Sequence, residues 1–353
     1  MKALVLAGGK GTRLRPITHT SAKQLVPIAN KPILFYGLEA IAQAGIKQVG
    51  IIIGETGPEI REAVGSGKKW GLRVVYIPQS SPLGLAHAVK IAQPFIGKDS
   101  FVMYLGDNLL RDGIKDLARE FNLKKPNAQI LLSRVPNPQS FGVAELSGGK
   151  VKALEEKPKK PKSDLALVGV YMFDSTIFKA VNSIRPSQRG ELEITDAIQY
   201  LIDSKKLVTP YIVKGWWKDT GKLEDLLEAN RLVLDSMQSR IDGWVDKKTK
   251  IDGKVVIEKG ARVINSTIRG PAIIGEHAHV ENSYVGPFTA IYHHSKLISS
   301  EIEHSIVLEH STILSVRRVE DSLIGQNASL IQSSIKPAAY RVMIGDSSKI
   351  EVP

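Results

Sequence analysis

Residues Leu6 to Pro16 read L-A-G-G-K-G-T-R-L-R-P, and the apolar run Ala3–Ala7 leads straight into them. A run without polar alternation predicts a buried parallel strand. Gly8, Gly9 and Gly11 remove side chains where the backbone must turn, so amide N–H groups can approach an anion. Lys10, Arg13 and Arg15 put positive charge around that turn. A strand running into a cationic glycine turn predicts a phosphate cradle. Two phosphate-loop patterns fail here: no Gly-Lys-Ser/Thr lies in the stretch, and the dinucleotide fingerprint would need glycine where Leu14 stands.

Outward from this turn, apolar runs alternate with helical stretches, as in a three-layer α/β domain. Strands are expected at Ala3–Ala7, Val49–Ile53, Val74–Ile77, Phe101–Leu105 and Gln129–Ser133. Helices are expected over Lys31–Ala44, Glu59–Val64, Ala86–Ile91 and Ile114–Leu123. Ala144–Leu154 and Leu167–Phe173 read as further strands, and Leu223–Arg240 carries a helical apolar stripe that closes the domain. Parallel strands present ligands at their carboxyl edge, so motifs that follow strands should share one crevice.

Beyond Ile241 the texture changes to short β-branched runs. N-S-T-I ends at Ile268, N-S-Y-V at Val285 and S-S-E-I at Ile302, each 17 residues after the last. Within a step, Ile268, Ile274, Val280 and Val285 are spaced six, six and five. That period predicts a left-handed parallel β-helix over 241–353, capped by Ala338–Val352, behind an α/β domain over 1–240.

The chain of 353 residues is long enough for two such domains. Cysteine is absent, which removes disulfides, thiolate metal sites and thiol nucleophiles. Neither a signal-peptide pattern nor a membrane-length apolar run is evident, so a cytoplasmic enzyme is expected. The tail from Ile241 balances 13 Lys+Arg against 13 Asp+Glu, so the whole excess of +12 lies in the first 240 residues. Cations concentrated around a phosphate cradle suit a polyanionic small substrate, and no basic helical stripe points to nucleic acid.

Gly106-Asp107-Asn108 closes the strand Phe101–Leu105, and Asp107 there can hold Mg²⁺. A second turn-borne acid, Asp219, sits in G-W-W-K-D-T-G. S-A-K-Q-L-V-P brings Lys23 to phosphate oxygens, and Gln79 offers an amide for a pyrimidine's imide edge, with Gly84 near the same base. Gly142 leaves room for a sugar hydroxyl; Glu156 can bind hydroxyls and Lys157 a sugar's phosphate; Val168 and Gly169 add a wall. In R-G-E-L-E-I-T-D, Glu193 and Asp196 are candidates for ligand contact, although Thr195 or Asp196 could equally cap a helix.

The glycine turn, G-G-x-G-T-R-L-x-P, is the signature of sugar nucleotidyltransferases. With K-Q-L-V-P, L-G-D-N, E-E-K-P, R-G-E-L-E-I-T-D and W-W-K-D-T-G, the chain resembles the glucose-1-phosphate thymidylyltransferases in their long, β-helix-tailed form. The resemblance implies a Rossmann-like nucleotidyltransferase domain and a Mg²⁺ held by Asp107 and Asp219. It implies nucleotide binding by Gly8, Gly9, Gly11, Thr12, Arg13, Lys23, Gln24, Gln79, Gly84 and Asp107, and sugar-phosphate binding by Gly142, Glu156, Lys157 and Val168. Arg13, Lys23 and Lys157 would be the catalytic cations, dTTP (UTP second) and glucose 1-phosphate the substrates, and a homo-oligomer the assembly. Leu83 departs from the aspartate of the short-form enzymes, and Lys218 from their apolar residue before the metal-binding aspartate. The nearest rivals use UTP or glucosamine 1-phosphate. Six of eight histidines lie in the tail, which suits either a His-dependent acetyltransferase or structural corner positions, and the corners are favoured. A non-catalytic paralogue is disfavoured by the full set of acids and cations.

Overall fold

The computed structural model describes residues 1–9, 11–18 and 22–334, with 342, 345 and 348–351 near the end. Lys10 and most of the expected cap over Ala338–Val352 lie outside the described residues. The chain forms two compact units, one of Met1–Lys10, Ala22–Leu25 and Ile33–Asp219, the other of Gly11–Ser21, Val26–Pro32 and Thr220–Pro353.

The first unit is built on a nine-stranded sheet: β1 (Lys2–Ala7), β2 (Gln48–Ile53), β3 (Arg73–Pro78), β4 (Phe101–Leu105), β5 (Ala128–Arg134), β6 (Gly142–Ser147), β7 (Lys150–Glu156), β8 (Leu165–Phe173) and β9 (Val208–Ile212). The order is β7-β6-β8-β4-β1-β2-β3, with β5 pairing both β8 and β9. β4, β1, β2 and β3 are mutually parallel, and β8 joins β4 antiparallel. Alternate residues of β1 feed opposite layers: Leu4 packs with the Leu85–Ile91, Ile177–Ser183 and Ile194–Asp203 helices, whereas Ala3, Val5 and Ala7 pack with those at Ile33–Gln43, Gly57–Val64 and Lys115–Lys124. This is the expected three-layer α/β fold. The expected strand over Ala144–Leu154 is instead a hairpin, because Gly148 and Gly149 (φ 55° and 75°) turn β6 back into β7.

In the second unit, three parallel sheets wind as a left-handed β-helix. Arg240–Ile241, Val255–Ile257, Ala272–Ile274, Thr289–Ile291, Ile306–Val307 and Leu323–Ile324 form one face. Register pairs such as Ile251–Ile268, Val263–Val280 and Val285–Ile302 keep the 17-residue step. One coil departs from it: Ala290 pairs with Ile306 and Leu297 with Ile313, a step of 16 that returns to 17 at the Ile302–Val319 bridge. Apolar residues of the repeat, Ile268, Ile274, Val280 and Val285 among them, are fully buried in the coil interior. Corners turn through left-handed residues, including His277, His294 and His310, whose rings stack at 5.1 and 5.0 Å. The Leu223–Ser236 helix also belongs to this unit, ending four residues short of the stretch expected from its stripe. Among the described residues no helix is long and apolar enough to cross a membrane.

Candidate active site

Parallel β1 and β4 end at one sheet edge, and the chemistry of the first unit collects there. Gly8 and Gly9 follow β1. A Cβ on Gly8 would stand 3.3 Å from the Gly54 amide nitrogen and 3.4 Å from Gln79 Oε1, and one on Gly9 would stand 3.2 Å from Lys23 Cε. The glycines therefore keep bare a turn bordered by an amide and an ammonium. Gln24 is buried beside it, and its Oε1 has no hydrogen-bond partner among the described residues.

Past β4, Lys23 Nζ donates to Asp107 Oδ2, and Asn108 Nδ2 donates to Asp107 Oδ1 at 3.1 Å. Burial pushes the Asp107 carboxyl up, but the Lys23 charge and these hydrogen bonds outweigh it and hold the group below the usual aspartate value. The short strand Asn108–Leu110 pairs antiparallel with Trp217–Asp219, which sets Asp219 opposite Asn108. The ladder thus places Asp219 opposite the residue that follows Asp107. Asn108 anchors the arrangement: its Oδ1 accepts from Trp217 Nε1 at 2.6 Å and from the Gly169 amide at 3.2 Å. A Cβ on Gly169 would lie 2.6 Å from that oxygen, so the position takes glycine.

A second cluster lies where β6, β7 and the Ile194–Asp203 helix meet. Thr195 Oγ1 donates to Glu156 Oε2 at 3.3 Å, and Arg189 Nη1 stands 3.4 Å from Glu156 Oε1 and 3.6 Å from Glu193 Oε1. Ser187 Oγ donates to the buried Glu193 at 2.8 Å. Burial, then the Glu193 carboxylate, push the Glu156 carboxyl up, against Lys157 and Arg189. A Cβ on Gly142 would reach 2.8 Å from Thr195 Cγ2 and 3.1 Å from Glu156 Oε2, so glycine opens the space before this acid. Lys157 leaves β7 in a left-handed conformation (φ 44°), with its amide donating to Phe141 O at 3.0 Å.

On the other side of the turn, Gln79 Nε2 lies 3.0 Å from His87 Nδ1. Burial and then Lys90 lower the His87 pKa, which favours a neutral ring able to accept that amide proton. Gly84 (φ 100°) starts the Leu85–Ile91 helix, and a Cβ there would collide with the Leu192 backbone. Mutual amide bonds, Leu192 N to Leu83 O at 2.8 Å and Ala86 N to Leu192 O at 3.0 Å, tie this loop to the Arg189–Leu192 segment. In the second unit, Gly11 (φ 66°) opens a 3₁₀ turn over Thr12–Leu14, and Thr18 Oγ1 closes it onto Gly11 O at 2.7 Å. Leu14 is buried, whereas Thr12 and Arg13 are exposed.

Residues 2–236 match the family described as nucleotidyl transferase. Glucose-1-phosphate thymidylyltransferase of Streptomyces antibioticus is 57% identical over 354 aligned residues, covering 100% of this chain and 99% of the relative. The Streptomyces griseus enzyme of the same name is 61% identical over 77% of each chain. A candidate glucose-1-phosphate thymidylyltransferase from Bacillus anthracis, crystallised with sucrose, superposes with a TM-score of 0.64 at 36% identity, covering 68% of this chain and 98% of that one. The chain belongs to the nucleotidyl transferase family, among the glucose-1-phosphate thymidylyltransferases.

In this nucleotidyltransferase the first unit brings Gly8, Gly9, Lys23, Gln24, Gln79 and Asp107 around one turn, with Asp219 registered next to Asp107. Gly142, Glu156 and Lys157 form the second group. Val168 is fully buried within the apolar layer of Val5 and Val170, so its side chain supports the wall from behind. Gly11, Thr12 and Arg13 belong to the other unit. Neither Thr195 nor Asp196 caps the Ile194–Asp203 helix; Glu193 holds that position, and both lie in the first turn. Asn108, Arg189 and His87 carry contacts for which their sequence motifs give no individual sign.

Proposed function

We propose that the chain transfers a thymidylyl group from dTTP to glucose 1-phosphate, releasing pyrophosphate and dTDP-glucose. The observation that supports this reading is Asp107 paired to Lys23 beside the bare Gly8–Gly9 turn, with Asp219 in register with the neighbouring Asn108. Among the described residues no three His, Asp or Glu side chains converge as a metal cage. A pair of acids supplies hard oxygen ligands and leaves the remaining positions to water and phosphate, which suits Mg²⁺. Asp107 and Asp219 would hold that ion, which supplies charge neutralisation on the α-phosphate and the leaving pyrophosphate.

The rest follows from the chain's own groups. Backbone amides of Gly8, Gly9, Gly11 and Thr12 would take phosphate oxygens, and Arg13 and Lys23 their charge. Gln24 Oε1, buried without a partner, would be satisfied by a donor carried on the nucleotide, since leaving it unmet costs about 1–3 kcal/mol. Gln79, its Nε2 turned to His87, would present its carbonyl to the imide N–H of the base, with Gly84 on the same side. Glu156 would accept from sugar hydroxyls in the space Gly142 leaves, while Lys157 and Arg189 orient the sugar's phosphate. Attack by that phosphate oxygen needs no general base, because it is ionised at neutral pH. The barrier is the approach of two anions, so positioning and charge supply the catalysis.

Purified protein with MgCl₂, a panel of nucleoside triphosphates and a panel of sugar 1-phosphates tests this. dTTP with glucose 1-phosphate is expected to give the highest kcat/KM, UTP to follow, and CTP, ATP and GTP to lag far behind. A purine triphosphate used as well as dTTP, or a sugar phosphate other than glucose 1-phosphate preferred over it, would overturn the reading.

A further inference from the structure

The two ends of the Gln79 amide face different partners. Nε2 lies 3.0 Å from His87 Nδ1, and Oε1 lies 3.4 Å from where a Cβ on Gly8 would stand, so the carbonyl borders the bare turn. The backbone behind both groups is fixed. Gln79 donates its own amide to Ile53 O, at the end of β2, at 2.8 Å. His87 stands in the Leu85–Ile91 helix, whose start is held by Ala86 N donating to Leu192 O at 3.0 Å and Ala88 N to Gly84 O at 3.3 Å. Ala86 and Ala88 on either side of His87 are buried, which fixes the face the helix turns inward. An amide nitrogen can only donate. His87 therefore meets it with an unprotonated Nδ1, as the neutral ring that carries its proton on Nε2. Burial, and then the Lys90 charge, lower the His87 pKa and favour that neutral form.

We propose that His87 is a positioning residue for base selection: its Nδ1 lone pair holds Gln79 Nε2 and so keeps the Gln79 carbonyl, rather than the amino group, toward the base. Thymine and uracil carry N3–H, which donates to that carbonyl. Cytosine has a lone pair on N3, and two acceptors set face to face cannot bond. The last torsion of a glutamine is broad and nearly two-fold, so an unheld amide turns over at little cost and offers its N–H to cytosine. With His87 as its acceptor, an amide that could read either base type reads the imide alone. This rests on the reading of Gln79 as the base-reading side chain.

Full-length His87→Glu, His87→Leu, His87→Lys and Gln79→Ala are compared with wild type by steady-state kinetics, below every thermal midpoint, with dTTP and with CTP at saturating glucose 1-phosphate. At this position ionised glutamate offers only acceptors, lysine only donors, and leucine neither. The quantity read is kcat/KM for dTTP divided by kcat/KM for CTP. Both triphosphates carry the same charge, so a charge introduced in place of His87 cancels in the ratio. His87→Glu should keep the ratio within about threefold of wild type, His87→Leu should lower it about tenfold, and His87→Lys about 100-fold. His87→Lys added to Gln79→Ala should change the ratio no further than Gln79→Ala does alone. A packing role for His87 would lower the midpoint and leave the ratio alone. Wild-type ratios in His87→Leu and His87→Lys, with the ratio collapsed in Gln79→Ala, overturn the positioning role and leave base reading by Gln79 standing. A fall in His87→Glu as large as that in His87→Lys overturns it too. If Gln79→Ala itself keeps the wild-type ratio, the base-reading role falls, and the role of His87 falls with it.

Discussion

Asp107 follows the strand Phe101–Leu105, and Asp219 is in register with its neighbour Asn108. Asp107 is locked to Lys23 with both side chains largely buried, so Asp107→Asn strands an ammonium and should lower stability by about 2 kcal/mol or more as well as activity. Asp219→Asn tests the second acid. Each substitution should reduce turnover by about 10²–10³-fold at saturating Mg²⁺, and near-normal kcat in either would remove that residue from the metal site. Gln79→Ala should raise KM for dTTP and UTP together while sparing glucose 1-phosphate, because thymine and uracil share the imide edge and differ by one methyl, worth about 1–3 kcal/mol. Wild-type dTTP kinetics in that variant would refute base reading by Gln79. At this scale the acids and cations were legible, because each follows a strand or turn that announces it. Asn108 was not: its bonds reach 61 residues to Gly169 and 109 residues to Trp217, and no local pattern encodes a partner that distant. Arg189 was missed in part for the same reason, its bond to Glu156 spanning 33 residues, whereas His87 lies only eight residues from Gln79 on a helix whose apolar pattern gives no sign of that contact.

Among the elements, the loop Gln79–Gly84 and the segment Arg189–Leu192 behave as one piece, joined by backbone bonds at Leu192. Gly84→Ala drives a methyl into the Leu192 backbone, which has no rotamer with which to retreat. The variant should lose about 2 kcal/mol and raise the KM of both substrates, since one side of the joint carries Gln79 and the other Arg189. A midpoint and both KM values equal to wild type would show the two segments to be independent. The strands and helices expected in the α/β unit lie within a few residues of those observed, whereas β9 and the Ile177–Ser183 and Ile194–Asp203 helices were not read from the sequence. The hairpin β6–β7 was not, because a continuous stretch of strand-like residues conceals a two-glycine reversal at Gly148 and Gly149. The nine-residue, wholly buried β8 was easier, lacking any polar interruption.

Over the whole molecule, the tail's period was the clearest signal in the sequence, since stacked coils demand identical spacing on every face. Its histidines divide into corner residues with stacked rings and residues paired to acids, such as His293 with Glu258 at 3.3 Å. Those are structural duties, so the purified protein should show no acetyl transfer from acetyl-CoA to glucosamine 1-phosphate. Transfer that disappears in His293→Ala or His294→Ala would make the enzyme bifunctional. The coil that advances by 16 residues bears on how such a tail can be altered. Its register is lost before Ile306 and regained before Val319, both at corners, while every face remains paired. Corners are therefore where the solenoid accepts changes in length, and faces are where it refuses them. A peptide tag or reporter grafted between Ser315 and Arg318 should leave the enzyme working, and one grafted into the Thr289–Ile291 strand should not.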